Sequence, residues 1–440
     1  MQEQFYGIAD YANSILKGDE VINLLFEGEE SDFVRFNHNK IRQPGSVVSS
    51  EVSIDLIRGN VHAQAGQILT GIAADDQKLV KSMIERLRER LDFLPEDPHL
   101  LYATEVNSTE KIATNKLPER EKAIDSIMAG GGDKDLVGIY AQGPIYRGFA
   151  NNLGQKNWFS TNSFHLDWSF YLRADKAVKS SYAGFDWDDA ALSQKMIEAN
   201  RQFEMLKTEP KTISSGKYRV YLAPSAVSEI IETLAWMGFG LKGHKSKVSC
   251  LIKMTEGDAT VSPAFTLSEN TAEGISPNFS ATGFIKPDKV VIIKEGKFND
   301  PLVSPRSAKE FGVETNGVGP GEYPESIDLA AGDISAGDVL SKLGTGAYIN
   351  NLWYLNYSDR PACRITGMTR FATFWVEDGK IVAPLNVMRF DESFYRMFGE
   401  NLLGLTQERE MQLSNETYGG RDVGSIRLPG ALIDDFEFTL

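Results

Sequence analysis

The first place in this chain where chemistry could sit is the unit from Lys217 to Gly240, where a strand-like run runs through Pro224 into a helix. A helix entered from a strand can present side chains at i and i+4 toward a cleft. Its face reads Ser225-Ala-Val-Ser-Glu-Ile-Ile-Glu-Thr-Leu-Ala-Trp236, which offers Glu229 and Glu232 as substrate-binding candidates and contains no histidine. His165 and Asp167 stand two residues apart on one face of a strand, the spacing of a metal pair. A polar strand face with one hydrogen-bonded imidazole accounts for them more simply, because no further ligands are identifiable. Asp186, Asp188 and Asp189 read as acids favouring a helix N-terminus rather than as a calcium loop, whose alternating acids and closing Glu are absent. Asn316-Gly-Val-Gly-Pro-Gly321 lacks the Lys-Ser/Thr of a phosphate loop and reads as a flexible connection. His38, His62, His99 and His244 are isolated in sequence, and Cys363 has no histidine near it.

Composition narrows the classes. The 440 residues are 42% hydrophobic and 24% charged, enough to bury a large core in two or three domains. A formal net charge of −15, from 46 basic and 61 acidic residues, argues against non-specific binding to nucleic acid or to an anionic membrane. Two cysteines, Cys250 and Cys363, are too few for a disulfide framework or a four-cysteine zinc module and read as buried apolar residues. No basic stretch leads into an apolar run at the start, and no apolar run of about 18 residues follows, so the expectation is a cytoplasmic protein without a membrane anchor.

The elements that must position these residues follow from periodicity. Phe33 to Phe36 and Val52, Ile54 and Leu56 alternate as strands, and Arg58-Gly-Asn60 turns into Val61 to Ala65, which predicts a short antiparallel meander. Leu79, Met83, Leu87 and Leu91 mark an amphipathic helix over it. A Pro-containing connector, 95–119, precedes a helix from about Pro118 to Met128, a strand over 164–172 and a helix from Asp188 to Leu206. Further on, hairpin turns are expected at Glu295-Gly296 and Asp378-Gly379, with capped helices after Ser304-Pro305 and Ser335 ending at Gly312 and Gly344. The predicted division is an N-terminal α/β unit, 1–100, a middle segment of the same region, 101–211, and a β-rich C-terminal domain of mixed short strands and helices, 212–440. The fold class is α+β.

The stretch from Ala347 to Pro384, above all Arg364-Ile-Thr-Gly-Met-Thr-Arg370 followed by Glu377-Asp-Gly-Lys-Ile381, resembles the C-terminal signature of the TldD/TldE (PmbA) family of metallopeptidases and their paired subunits. Phe33-Val-Arg-Phe-Asn-His-Asn-Lys-Ile41 extends the likeness toward the N-terminus. The resemblance implies a PmbA/TldD-like fold and a cleft in the domain that carries Thr366, Gly367 and Arg370. These three either line a groove where a peptide adds to a strand edge, or form a turn whose arginines cap carbonyls and pair with acids. In the catalytic branch the helix after the first C-terminal strand carries a His-Glu-x-x-x-His zinc motif, and a Cys near the C-terminus completes the site. This chain has neither: the helix lacks histidine, and Tyr418-Gly-Gly-Arg421 lacks cysteine. Pro277 to Gly283 also lacks the family's Asp-x-Glu-Gly run.

The resemblance therefore implies a TldE/PmbA-like subunit with no catalytic residues and no metal of its own. It would pair with a zinc-bearing TldD-like subunit, or with itself as a dimer, and act on peptides or unfolded polypeptides. A homo-oligomeric peptidase with a divergent metal site is the enzymatic alternative, and a peptide-binding or gyrase-modulating protein the non-enzymatic one. No direct contact with nucleic acid or membrane is expected.

Overall fold

In the computed structural model, which describes residues 1–415, 417 and 419–439, strand periodicity runs much further than the expected short meander. After helix α1 (Gln2–Ser14), β1 (Val21–Asn37) and β2 (Lys40–Arg58) form one hairpin of 17 and 19 residues. Its two-residue turn is His38-Asn39, with φ of 52° and 51°, the doubly left-handed geometry that matches the twist of paired strands. β3 (Val61–Ile68) continues the meander, and α2 (Ala73–Leu91) covers it with Val80, Met83, Ile84 and Leu87.

The connector holds only the two-residue β4 (Glu110–Lys111), and α3 (Arg120–Gly131) follows. The long strands β5 (Asp135–Asn151) and β6 (Lys156–Arg173) and the shorter β7 (Lys176–Gly184) come next, then α4 (Asp189–Leu206). The seven strands make one sheet across residue 100, in the order β3-β2-β1-β5-β6-β4, with β7 paired to β6. Asp188 caps α4 by accepting a hydrogen bond from the Ala190 N–H, as its position predicts.

The second sheet begins with β8 (Gly216–Leu222), which leads through Pro224 into α5 (Pro224–Ala235). The short helices α6 (Leu241–Lys245) and α7 (Ile252–Glu256) precede β9 (Leu267–Glu269), β10 (Val290–Lys294) and β11 (Lys297–Phe298). Helix α8 (Pro305–Phe311), β12 (Ser326–Leu329) and α9 (Val339–Leu343) lead to two 14-residue strands, β13 (Gly346–Asp359) and β14 (Arg364–Glu377). β15 (Lys380–Pro384), β16 (Arg389–Ser393), α10 (Phe394–Met397), β17 (Leu402–Leu413) and the 14-residue β18 (Ser425–Phe438) complete the chain.

The expectation of short strands here was wrong for β13, β14 and β18. Their bulges, such as those between Ile349 and Asn351 and between Ile433 and Phe436, break the alternation by which a long strand is recognised. β8, β13, β14, β16 and β18 close into a ring, because β18 pairs with both β16 and β8. Closure leaves these five strands no free edge on the ring. Two of the sheet's pairings, β8 with β13 and β12 with β18, are parallel, so the sheet is mixed.

Helix α5 seals this sheet with Val227, Ile230, Ile231 and Leu234, all fully buried in the largest core. Truncating Ile231 to Ala is expected to cost about 2–5 kcal/mol in urea unfolding, the usual range for a large aliphatic removed from a close-packed core. The two sheets are also packed together. Ala372 and Phe374 of β14 lie in one cluster with Leu192, Met196 and Phe203 of α4. Among the described residues no helix is long and apolar enough to cross a membrane.

Candidate functional site

A cavity of about 460 Å³ opens between the two sheets, where α5 faces β6 and β7. Ser225, Ser228, Glu229 and Glu232 recur at helical spacing, so α5 turns them toward the N-terminal region while its apolar stripe enters the core. Opposite stand Asp167 of β6 and Lys179 and Ser181 of β7; Lys179 Nζ lies 3.6 Å from Asp167 Oδ2. β17 adds Gln412, while its alternate residues Thr406, Glu408 and Glu410 line an adjoining cavity of about 540 Å³. The segments Tyr323–Glu325 and 413–415, with Asp422, close the rest of the wall.

Among the described residues the wall carries five carboxylates, Asp167, Glu229, Glu232, Glu325 and Asp422, against one lysine, Lys179. Burial, reinforced by the neighbouring Glu229, pushes Glu232 up to about 7, and Lys179 partly offsets this. Burial also raises Glu229 and Asp167, each again moderated by Lys179. A carboxyl poised near neutrality can give or take a proton at physiological pH, and the ionised wall can hold a cationic group.

Asp422 follows a deeply buried anchor. The Arg421 guanidinium donates to the carbonyls of Gly143 (2.9 Å) and Ser163 (3.0 Å) and to Ser163 Oγ (2.7 Å), and the Arg421 N–H reaches Glu29 (3.3 Å). The C-terminal domain thereby pins its loop into the first sheet. His165 is buried near Arg421, with Nε2 unpartnered; burial, and secondarily Arg421, lower its pKa to about 3, so it is neutral.

Of the sequence candidates, Glu229 and Glu232 line the cavity, and Asp167 joins them from the other sheet while His165 does not. Thr366, Gly367 and Arg370 lie elsewhere, in β14 between β13 and β16. The Thr366 hydroxyl donates to the Phe390 carbonyl (3.0 Å), and Gly367 makes room for the Phe390 ring, which a Cβ would meet at 2.9 Å. The Arg370 guanidinium stacks 4.3 Å from the centre of the Trp353 ring. Asp186, Asp188 and Asp189 belong to the start of α4, not to this cavity. Tyr418 lies outside the described residues.

Lys179, Glu410, Arg421 and Asp422 were missed. The alternation of Thr406-Gln-Glu-Arg-Glu-Met-Gln412 was a signal for β17, but nothing local shows which sheet it faces.

Residues 215–440 match the family model described as the PmbA/TldA metallopeptidase C-terminal domain, more than half of the chain. The chain belongs to the PmbA/TldD family. The whole PmbA/TldD-like fold recurs in TldE from Thermococcus kodakarensis, at TM-score 0.78 and 13% identity, covering 99% of this chain and 100% of that one. It recurs also in a candidate DNA gyrase modulator from Thermotoga maritima, at TM-score 0.77 and 15% identity, with 99% and 100% covered. A similar candidate modulator from Bacteroides thetaiotaomicron gives TM-score 0.72 at 14% identity, with 99% and 98% covered. Among curated proteins none matches.

The description of the family as metallopeptidases implies a metal, and this PmbA/TldD cavity does not suit zinc. Its donors among the described residues are carboxylates, hydroxyls and amides, without an imidazole or thiolate, whereas zinc sites are built around nitrogen and sulfur ligands. Among the described residues, no three His, Cys, Asp or Glu side chains converge as a metal would require.

Proposed function

We propose that this chain is a TldE/PmbA-like subunit that holds peptides or unfolded polypeptides for a zinc-bearing TldD-like partner and does not cleave them itself. The observation that carries this reading is the α5 face: where the resemblance places zinc-binding imidazoles, it presents Ser228, Glu229 and Glu232 to the cavity.

Two strand edges support the peptide-holding role. Among the described residues β7 pairs only with β6, and β17 only with β18 apart from a bridge at Thr406. Both border the cleft, so backbone N–H and C=O groups are available to an extended chain with little regard to its side chains. On β7 the Lys179 carbonyl is already engaged, since it accepts from Asn350 Nδ2 (2.9 Å), so an added chain would use other backbone groups.

The test uses the untagged chain purified without chelator. Elemental analysis is expected to find well under one zinc per chain. The chain alone should bind an unstructured fluorescent peptide without cutting it, and cleavage should appear on adding a zinc-bearing family member. One zinc per chain together with chelator-sensitive cleavage by the chain alone would overturn the non-catalytic assignment. Absence of peptide binding would overturn the holding role.

A further inference from the structure

Cys250 and Cys363, read from the sequence as buried apolar residues, are indeed buried, but the fold also brings their thiols together. Cys363 ends the turn between β13 and β14, and Cys250 stands in the connection between α6 and α7. One short segment fixes both backbones. The Phe394 N–H donates to the Cys363 carbonyl (2.9 Å), and the next residue, Tyr395, donates its hydroxyl to the Cys250 carbonyl (3.2 Å). The Cys363 N–H bonds back to the Arg360 carbonyl (2.9 Å) and the residue sits at φ 46°, a left-handed conformation uncommon where there is a Cβ. So pinned, the two side chains meet as hydrogen-bond partners.

The surroundings suit a reactive thiolate rather than an inert thiol. The Tyr357 hydroxyl, which donates to the Thr233 carbonyl (2.7 Å), also reaches the Cys250 sulfur, and the Arg360 guanidinium lies 5.3 Å from the centre of the Tyr357 ring. The hydrogen bond from Cys363, opposed by burial and helped by Tyr357 and Arg360, holds the Cys250 thiol below its usual pKa. Burial and the same hydrogen bond push the Cys363 thiol well up, so it keeps its proton. One sulfur therefore ionises first, with a protonated one in contact with it. The turn that Cys363 closes is exposed at Asp359, Arg360 and Pro361, which places the pair directly beneath the surface.

We propose that Cys250 and Cys363 are a reactive dithiol that a peroxide oxidises to an intramolecular disulfide. The Cys250 thiolate attacks one peroxide oxygen: the S–O bond forms, the O–O bond breaks, and the departing hydroxide takes up the proton that Cys250 released. Cys363 then attacks the Cys250 sulfur, the S–S bond forms, the S–O bond breaks, and the oxygen leaves as a second water with the Cys363 proton. Two thiols lose two electrons in all, and the peroxide is reduced to two waters. The bond joins positions more than a hundred residues apart and so restrains the unfolded chain. It also ties the β13–β14 turn to the end of α5, whose Thr233 and Leu234 carbonyls accept from the Tyr357 hydroxyl and, at 3.8 Å, from the Cys250 sulfur. The inference stands independently of the peptide-holding reading.

The test treats the full chain, reduced and then freed of reductant, with hydrogen peroxide near neutral pH and counts its thiols after unfolding in an alkylating reagent. Both thiols are expected to disappear, the mass to fall by two hydrogens, and proteolysis to release one linked peptide pair carrying Cys250 and Cys363. The oxidised protein should unfold at higher urea than the reduced one, and dithiothreitol should reverse both changes. Cys363→Ser should stop the reaction at a sulfenic acid on Cys250 that dimedone traps, whereas Cys250→Ser should leave Cys363 reduced. Arg360→Ala, in the exposed turn, should slow the reaction several-fold and keeps the mechanism testable where a core variant does not fold. Two thiols surviving peroxide in the folded chain would overturn the dithiol. So would sulfinic acid without an S–S bond, links only between chains, or oxidation seen only once urea has unfolded the protein.

Discussion

Glu232→Gln is expected to stabilise the protein at pH 8 by up to about 3 kcal/mol and to leave it nearly unchanged at pH 4.5, read as the difference between the urea unfolding curves of the variant and the parent. The folded-state carboxyl is pushed up to about 7, whereas the same group in the unfolded chain titrates near 4.5. Between those values the folded protein binds the extra proton, so stability falls as pH rises from about 4.5 through 7. Below 4.5 both states are protonated and the difference vanishes. Gln is permanently neutral and escapes the penalty, and the Glu232 side chain gives up no hydrogen bond to a described residue in the exchange. Glu229, raised by burial, contributes in the same direction. Parallel pH curves for parent and variant would mean that water reaches Glu232 and that the cavity is far wetter than its geometry indicates.

The second large effect is at Arg421. Arg421→Ala is expected to cost about 2–4 kcal/mol, because it strands the carbonyls of Gly143 and Ser163 and leaves a void between the sheets. Arg421→Lys should recover only part of this, since an ammonium cannot present the planar fork that reaches both carbonyls. Removing Arg421 also takes away the positive charge that helps depress the His165 pKa, so the imidazole proton resonances of His165 should titrate at a higher pH in Arg421→Ala. Burial, the larger cause, keeps that pKa below the usual histidine value. An unchanged unfolding curve would show that the 419–424 segment is held by other contacts.

These two residues illustrate how differently site and anchor are written in the chain. Glu229 and Glu232 stand out from the sequence, because the strand-to-helix passage at Leu222–Pro224 and the apolar period of Val227, Ile230, Ile231 and Leu234 define which face of α5 is left over. Helices α2 and α4 and the turn at Asp378-Gly379 were legible for the same reason: each depends on interactions within a few residues, and local pattern records those. Arg421 was invisible as an anchor, since its partners are more than 250 residues away in β5 and β6.

The family blocks show the limit from the other side. Arg364 to Arg370 marks the family, yet Thr366 and Gly367 serve the contact of β14 with β16, and Arg370 stacks on Trp353, away from both cavities. By itself the sequence determined the α+β class, the family, the main helices and the carboxylate face of α5, all of which rest on short-range periodicity or on motif residues. Only the tertiary structure decided that β8, β13, β14, β16 and β18 close into a ring and that Asp167 and Lys179 meet Glu229 and Glu232 across two sheets. It also decided that the resulting desolvation holds Glu232 near neutrality. Strand pairing and burial join residues far apart in the chain, and the energy of an ionisable group depends on everything that surrounds it rather than on its neighbours in sequence.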